Sequence, residues 1–183
     1  PGIVTTSVGY AGGEKSNPTY YEVCSGLTGH SEVVRVIWDK REIDISDLLK
    51  MFWECHDPTQ KNRQGNDMGT QYRSAIYYKN ENNIKTILAS KEQYQTELSK
   101  KNLGLIETEI KMIDSYFYAE QYHQQYLASA GSRQYCSASP TKVKLGVFTG
   151  SNYKLEDHIW ENFNWEVDKC VLRSDNNPIK NNI

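Results

Sequence analysis

The order of strand-like and helix-like segments along the chain is the feature that most limits its fold. β-Branched or alternating apolar runs predict four strands, at 3–10, 32–38, 74–78 and 105–113. Apolar positions spaced three or four residues apart predict three helices, at 45–53, 80–101 and 118–127. Strands and helices mixed in this order are typical of a two-layer α+β sandwich, and the weak pattern after residue 129 predicts an irregular C-terminal tail.

Length and charge exclude several classes of protein. The 183 residues suit one domain with a hydrophobic core of its own. Because 21 basic and 23 acidic side chains nearly balance, at a net charge of −2, and no basic block occurs, we expect no nucleic-acid partner. No apolar run approaches the length of a membrane span, so we expect no membrane partner either. We expect a cytoplasmic monomer.

The cysteines are too few and too widely spaced for a disulfide scaffold or a zinc site: Cys24, Cys55, Cys136 and Cys170. Cys136 lies in a polar stretch, so we expect it to be accessible and either incidental or a redox group. We expect Cys24 to be buried and inert, whereas Cys55 ends a predicted helix and could form a thiolate. Cys170 is either spare or paired with Cys136.

Glu32 begins the second predicted strand. Both faces of this strand are largely apolar, which indicates a central position in a sheet. A carboxyl group at the end of a central strand is partly desolvated, and the resulting rise in its pKa suits it to donate a proton. The alternative is that Glu32 lies at the exposed tip of the strand and pairs with an arginine.

The polar segment at 56–73 is too long for an ordinary connection, and its varied hydrogen-bonding side chains favour a functional loop. Within it we single out Asp67 and Tyr72. Asp67 could orient a hydroxyl group or a water, or it could be a turn residue that bonds its own backbone or pairs with Arg63 or Arg73.

Tyr20 follows the turn formed by residues 17–19, which would project it rigidly. Its side chain therefore either faces a site or packs on the sheet.

Four segments resemble the peptide methionine sulfoxide reductase A family. They are VGYAGG at 8–13, NPTYYEVCSGLTGHSEVVRV at 17–36, FWECHDPTQKNRQGNDMGTQYRSAIY at 52–77 and YFYAEQYHQQYL at 116–127. The resemblance covers about residues 1–136 and implies an α+β fold with a mixed, ferredoxin-like sheet. It also implies reduction of methionine S-sulfoxide to methionine, in oxidised proteins or as the free amino acid.

The resemblance further assigns roles to single residues. In the family a cysteine thiolate attacks the sulfoxide sulfur, while two tyrosines and a glutamate hold the oxygen. The tyrosines match Tyr20 and Tyr72, and the glutamate, which supplies the proton, matches Glu32. An aspartate of the site matches Asp67, and the cysteine that resolves the sulfenic acid matches Cys136. Thioredoxin then reduces the disulfide, and no bound cofactor or metal is implied.

The attacking cysteine of the family lies in a Gly-Cys-Phe-Trp-Gly motif, which does not occur in this chain. We therefore expect a fragment, or an isoform shortened at its N-terminus, with a catalytic domain at 1–136 that lacks one strand and one helix. Residues 137–183 would form a partly disordered extension. The alternative function is a truncated chain that binds sulfoxide without reducing it, or is inactive.

Overall fold

The structure, a computed structural model, describes residues 1–126 and 138–161. Its strands are β1 (Ile3–Ala11), β2 (Ser31–Trp38), β3 (Arg63–Gln64), β4 (Asp67–Met68), β5 (Ala75–Tyr78), β6 (Glu109–Met112) and β7 (Tyr116–Tyr118). Its α-helices are α1 (Tyr20–Cys24), α2 (Ile45–Cys55), α3 (Ile84–Lys100) and α4 (Asp157–Glu161). Single 3₁₀ turns lie at Thr70–Tyr72, Glu81–Asn83 and Gln121–His123. None of the helices in the described ranges is long and apolar enough to cross a membrane.

Antiparallel and parallel strand pairs both occur, as expected for an α+β fold. β1 lies between β2 and β7 in an antiparallel sheet, and its register places Tyr10 opposite Glu32. β5 and β6 pair in parallel, and β3 and β4 form a short antiparallel hairpin. The four predicted strands and the helices predicted at 45–53 and 80–101 are confirmed, with ends that differ by a few residues.

The main core lies where α2 and α3 pack against the β5–β6 pair. Trp53 of α2 is fully buried, stacks on Tyr94 of α3 at a ring distance of 5.5 Å, and donates its indole N–H to Ser90 at 2.9 Å. Ile76 and Ile110 of the two strands pack against this cluster. Helices on one side of a sheet form the two layers that the sequence predicts.

The expected central position of β2 is wrong for the part of the chain that the structure describes. There β2 pairs with β1 alone, and Val34 is 61 % exposed. Apolar side chains on both faces favour strand formation, but they do not determine how many neighbours a strand has.

The helix predicted at 118–127 is also wrong up to residue 126; residue 127 lies outside the described range. The segment begins in β7, where Phe117 pairs with Tyr10 of β1, and continues as the 3₁₀ turn Gln121–His123. Pairing with β1 outweighs the local helical pattern, because aromatic residues also suit strands.

Two buried carboxylates of α2 hold the segment after residue 138. Glu54 is 2 % exposed and forms ion pairs with Lys50 at 2.7 Å and with Lys144 at 2.9 Å. It also accepts the backbone N–H of Leu145 at 3.0 Å. Asp47, one per cent exposed, accepts backbone N–H groups of residues 154 and 155. Val143, Leu145 and Phe148 thereby join the core.

Replacing Glu54 with alanine should lower the free energy of unfolding by about 3 kcal/mol, because the Lys50 ammonium and the Leu145 N–H would lose their shared buried partner. Urea unfolding measures the change. Glu97→Ala is the matched control: its ion pair with Lys100 is more exposed, so the loss should stay below about 1 kcal/mol. A Glu54 variant no less stable than the Glu97 variant would contradict this account.

Candidate active site

A pocket of about 250 Å³ opens where β1 and β2 run side by side. Its walls come from these strands, from α1 and from the connection after β7: Val8, Gly9, Tyr10, Tyr20, Glu32, Val33, Val34, Ala119 and His123. Two predicted site residues, Tyr20 and Glu32, therefore face the same space. The pocket combines one carboxyl group, two phenols and one imidazole with apolar walls.

Tyr20 is the first residue of α1, a helix that the sequence analysis did not predict. Thr19 caps this helix: its side chain accepts the backbone N–H of Glu22, and the Glu22 carboxylate accepts the Thr19 N–H at 2.9 Å. The Tyr20 ring lies 4.6 Å from the ring of His123, and Tyr20 packs against the buried cluster of Tyr10, Val23 and Ala119. Tyr20 therefore both faces the pocket and packs beside the sheet.

Glu32 owes its place to the turn that precedes β2. His30 is 2 % exposed; its Nδ1 accepts the Gly13 N–H at 3.1 Å and its Nε2 donates to the Lys15 carbonyl at 2.7 Å. Gly13 allows this approach, since a Cβ there would lie 2.3 Å from the Thr28 carbonyl oxygen. The loop after β1 is thereby fixed against the start of β2.

The carboxyl group of Glu32 has a raised pKa. By area Glu32 is an exposed residue, because the pocket is open on one side. Protein atoms nevertheless displace enough water that desolvation raises its pKa to about 6, and the negative charge of Asp67 adds to the shift. Within residues 1–126 and 138–161 no lysine or arginine pairs with Glu32, so the alternative of an arginine partner is not found there.

Asp67 and Tyr72 are brought close to Glu32 by the loop between α2 and β5. Ser31, which precedes Glu32, donates its hydroxyl to the carbonyls of Gln71 and Arg73 at 3.2 Å each, and these residues flank Tyr72. Tyr72 is not among the residues that line the pocket, but it lies close enough for the charges of Glu32 and Asp67 to raise its pKa.

Arg73 fixes this loop to the neighbouring strands. Its guanidinium pairs with Glu109 at 2.8 Å and donates to the carbonyls of Thr70 and Gly29 at 2.8 and 2.9 Å. The Tyr77 hydroxyl accepts a further hydrogen bond from it at 2.8 Å. Arg73 therefore forms its ion pair with Glu109 rather than with Asp67, the partner that the sequence analysis left open.

Both site tyrosines stay protonated near neutral pH. A hydrogen bond to Cys24 and then desolvation raise the pKa of Tyr20. Desolvation and the charge of Glu32 raise the pKa of Tyr72. Each phenol therefore keeps its proton, and the proton of Tyr20 is directed to Cys24 until an oxygen acceptor takes that place.

The cysteines differ from the expectation. Cys24 is exposed, not buried, because it ends the short helix α1 on the side of the Tyr20 hydroxyl. Cys55 donates to the Phe52 carbonyl at 3.3 Å, and desolvation raises its pKa to about 11, which makes it a poor thiolate. Cys136 and Cys170 lie outside the described residues.

Three residues of the site were missed by the sequence analysis. Tyr10 is 2 % exposed and donates its hydroxyl to Glu120 at 2.7 Å. His123 lines the pocket, and its buried Nε2 has no hydrogen-bond partner among the residues described. Tyr10 could have been found from the sequence, because it lies two residues after Val8 and therefore on the same face of β1. Glu120 and His123 were missed because the segment 118–127 was predicted to be a helix.

The described part of the chain holds no group of three or more His, Cys, Asp or Glu side chains arranged to bind a metal ion.

Known proteins are similar in sequence to most of this chain. The family model described as peptide methionine sulfoxide reductase matches residues 1–153. The peptide methionine sulfoxide reductase MsrA of Azotobacter vinelandii is 56% identical over 145 residues, which cover 79% of this chain and 67% of that protein. The MsrA of Ectopseudomonas mendocina is 54% identical over 145 residues, with 79% and 66% covered. The chain thus spans about two thirds of the length of these relatives.

Two solved structures share the fold. The reduced form of Mxr1 from Saccharomyces cerevisiae superposes with a TM-score of 0.69 at 35% identity, covering 76% of this chain and 78% of that one. Methionine sulfoxide reductase A of Corynebacterium diphtheriae gives a TM-score of 0.63 at 41% identity, covering 75% and 73%. The sequence match, the shared fold and the four resembling segments agree, and the chain belongs to the peptide methionine sulfoxide reductase family.

Proposed function

We propose that the pocket binds the sulfoxide group of methionine S-sulfoxide, in oxidised proteins or as the free amino acid, for reduction to methionine. The observation that carries the proposal is the raised pKa of Glu32 beside two protonated phenols, Tyr20 and Tyr72. A sulfoxide oxygen is a strong hydrogen-bond acceptor that gains negative charge as its sulfur is attacked. A neutral acid and two phenols are suited to stabilise that charge.

Each polar group has a separate task in this proposal. The hydroxyls of Tyr20 and Tyr72 donate hydrogen bonds to the sulfoxide oxygen. Glu32, whose pKa lies near 6, delivers a proton to the same oxygen as charge develops there. Asp67 assists by raising the pKa of Glu32 and so favouring its protonated form.

The apolar walls suit the rest of the methionine side chain. Val8, Val34 and Ala119 line the pocket next to Glu32. A thioether with its methyl and methylene groups loses little by leaving water at such a surface, whereas a charged side chain would lose much. The pocket is therefore selective for an uncharged substrate side chain that ends in one polar oxygen.

The redox chemistry is carried by cysteine. A thiolate sulfur attacks the sulfoxide sulfur, the S–O bond breaks, and the protonated oxygen is transferred, which leaves methionine and a cysteine sulfenic acid. A second thiol, for which we propose Cys136, displaces the oxygen as water and forms a disulfide. The dithiol of thioredoxin then reduces this disulfide, and no prosthetic group takes part. We propose that the protein acts in the cytoplasm as a monomer.

The attacking thiol can be considered apart from the oxygen-binding groups. The Gly-Cys-Phe-Trp-Gly motif that carries it in the family does not occur among the 183 residues. Of the two described cysteines, Cys24 lies beside Tyr20, and Cys55 is held unreactive by its raised pKa. The contact with the sulfoxide oxygen is therefore best tested by the affinity of the chain for a sulfoxide peptide, because binding requires no attack by a thiol on the sulfur.

Titration of the Glu32 side chain, followed by NMR, should give a pKa of about 6. Asp67→Asn should lower this pKa, because it removes a like charge from the neighbourhood. Asp157→Asn, in the exposed helix α4, is the matched control and should leave it unchanged. A Glu32 pKa at or below its ordinary value of 4.5 would remove the proton-donor role.

The same shift has a consequence for stability. Between pH 4.5 and about 6 the folded state holds more protons at Glu32 than the unfolded state, so this residue makes stability fall as pH rises through that window. Glu32→Gln should abolish that part of the pH dependence in urea unfolding.

Calorimetry with short peptides at pH 5.5 tests oxygen binding directly. The chain should bind an S-sulfoxide peptide more tightly than its R-epimer or the sulfide. Tyr72→Phe should weaken S-sulfoxide binding about ten-fold, the effect of losing one aligned hydrogen bond, and leave sulfide binding unchanged.

Tyr21→Phe is the matched control, because it removes a phenol hydroxyl from a side chain that is 80 % exposed. Equal affinities for the two epimers would rule out the proposed function.

A further inference from the structure

Glu120 lies behind the pocket and joins three segments of its wall. It follows Ala119, which lines the pocket, and precedes the 3₁₀ turn Gln121–His123. Its carboxylate accepts the backbone N–H of Tyr20 and the hydroxyl of Tyr10, each at 2.7 Å, through different oxygens. Glu120 is not among the lining residues, so it acts on the pocket only through its neighbours.

The bond to Tyr20 determines where α1 begins. Tyr20 is the first residue of the helix, and its N–H has no acceptor within the helix itself. Glu120 supplies that acceptor across 100 residues of sequence. Since a hydrogen bond to an ionised acceptor is stronger than one between neutral groups, this contact holds the Tyr20 backbone in place relative to β1.

The bond to Tyr10 has a different effect. Tyr10 stands directly opposite Glu32 on the neighbouring strand and lines the same pocket. A phenol has one proton to donate, and Tyr10 gives that proton to Glu120. Tyr10 is thereby prevented from donating to Glu32 or to a ligand in the pocket.

The charge state of Glu120 agrees with this arrangement. Burial pushes its pKa up, but the hydrogen bonds from the Tyr20 backbone and the Tyr10 hydroxyl outweigh burial and hold the pKa below its ordinary value. Glu120 is therefore ionised throughout the pH range in which Glu32 titrates.

We propose that Glu120 is a positioning residue of the sulfoxide site, which fixes the Tyr20 phenol for donation to the oxygen and withholds the Tyr10 proton from it. This proposal rests on the proposed function and adds a residue to it. Without Glu120, the start of α1 would lose its tie to β1, and Tyr10 would become a competing donor in the pocket.

The test is Glu120→Gln in the full 183-residue chain, a change that keeps the shape of the side chain and removes its charge. The affinity ratio of an S-sulfoxide peptide over the matching sulfide peptide reports on the oxygen contact alone. We expect this ratio to fall about ten-fold, with sulfide affinity unchanged. The amide proton of Tyr20, shifted downfield by its bond to a carboxylate, should move upfield in the NMR spectrum.

Glu22→Gln is the matched control. It removes a charge from the same helix but keeps the capping arrangement with Thr19, because glutamine also serves at this position. Its affinity ratio should remain that of the unmodified chain.

An affinity ratio that stays constant in Glu120→Gln would overturn the proposal, whether both affinities are unchanged or fall together as a merely structural role would produce. An unmoved Tyr20 amide would overturn it whatever the chain binds. An unmodified chain with no preference for sulfoxide would instead overturn the proposed function, so the two failures are distinct.

Should the glutamine variant fail to fold, Glu120→Asp tests the same point. It keeps the charge but withdraws the carboxylate by one methylene from the Tyr20 N–H, so the ratio should again fall. An unchanged ratio with an unchanged amide position would count against Glu120.

Discussion

Partial removal of the Glu32 carboxyl from water, with no cation paired to it in the described part of the chain, is the constraint on which the rest of the site depends. Pairing with a lysine or arginine would lower the pKa of this group, and full exposure would leave the pKa at its ordinary value of 4.5. The structure avoids both by placing Glu32 at the start of β2, opposite Tyr10, with the charge of Asp67 nearby. The antiparallel pairing of β1 with β2 is thus the structural source of the chemistry that we propose.

The supports around Glu32 are polar, and they connect segments that are distant in sequence. His30 ties the loop after β1 to the turn before β2, and Ser31 ties the start of β2 to the residues flanking Tyr72. Arg73 and Glu120 then fix the loops that carry the two phenols. Because hydrogen bonds are directional, such a network defines positions more sharply than apolar packing alone. This network also explains how an open pocket of mostly small apolar residues keeps its polar groups in fixed positions.

Much of the fold could be predicted from periodicity, and the exceptions have physical reasons. β1 is rich in β-branched residues and α3 has a long amphipathic pattern, so their type was clear from the sequence. The helix α1, with five residues, is too short for such a pattern and depends on Thr19 and on the distant Glu120. The segment that contains β7 has a helical pattern, but pairing with β1 decides its structure. Cys24 was expected to be buried, and this expectation was wrong because α1, the helix that Cys24 ends, was not predicted. Glu32 was chosen from its place on a strand, Tyr20 from the turn before it, and Asp67 and Tyr72 from the polar loop at 56–73, whereas their roles came from the family resemblance. No local pattern could have shown that these four residues lie close together, since they come from separate parts of the chain.

The central claim is that one oxygen contacts the phenols of Tyr20 and Tyr72 and the carboxyl group of Glu32 at the same time. A crystal structure of the chain with bound methionine S-sulfoxide measures this most directly. The account predicts distances of about 2.5–3.0 Å from the sulfoxide oxygen to all three groups. A bound sulfoxide whose oxygen faces solvent, or contacts none of these three side chains, would contradict it.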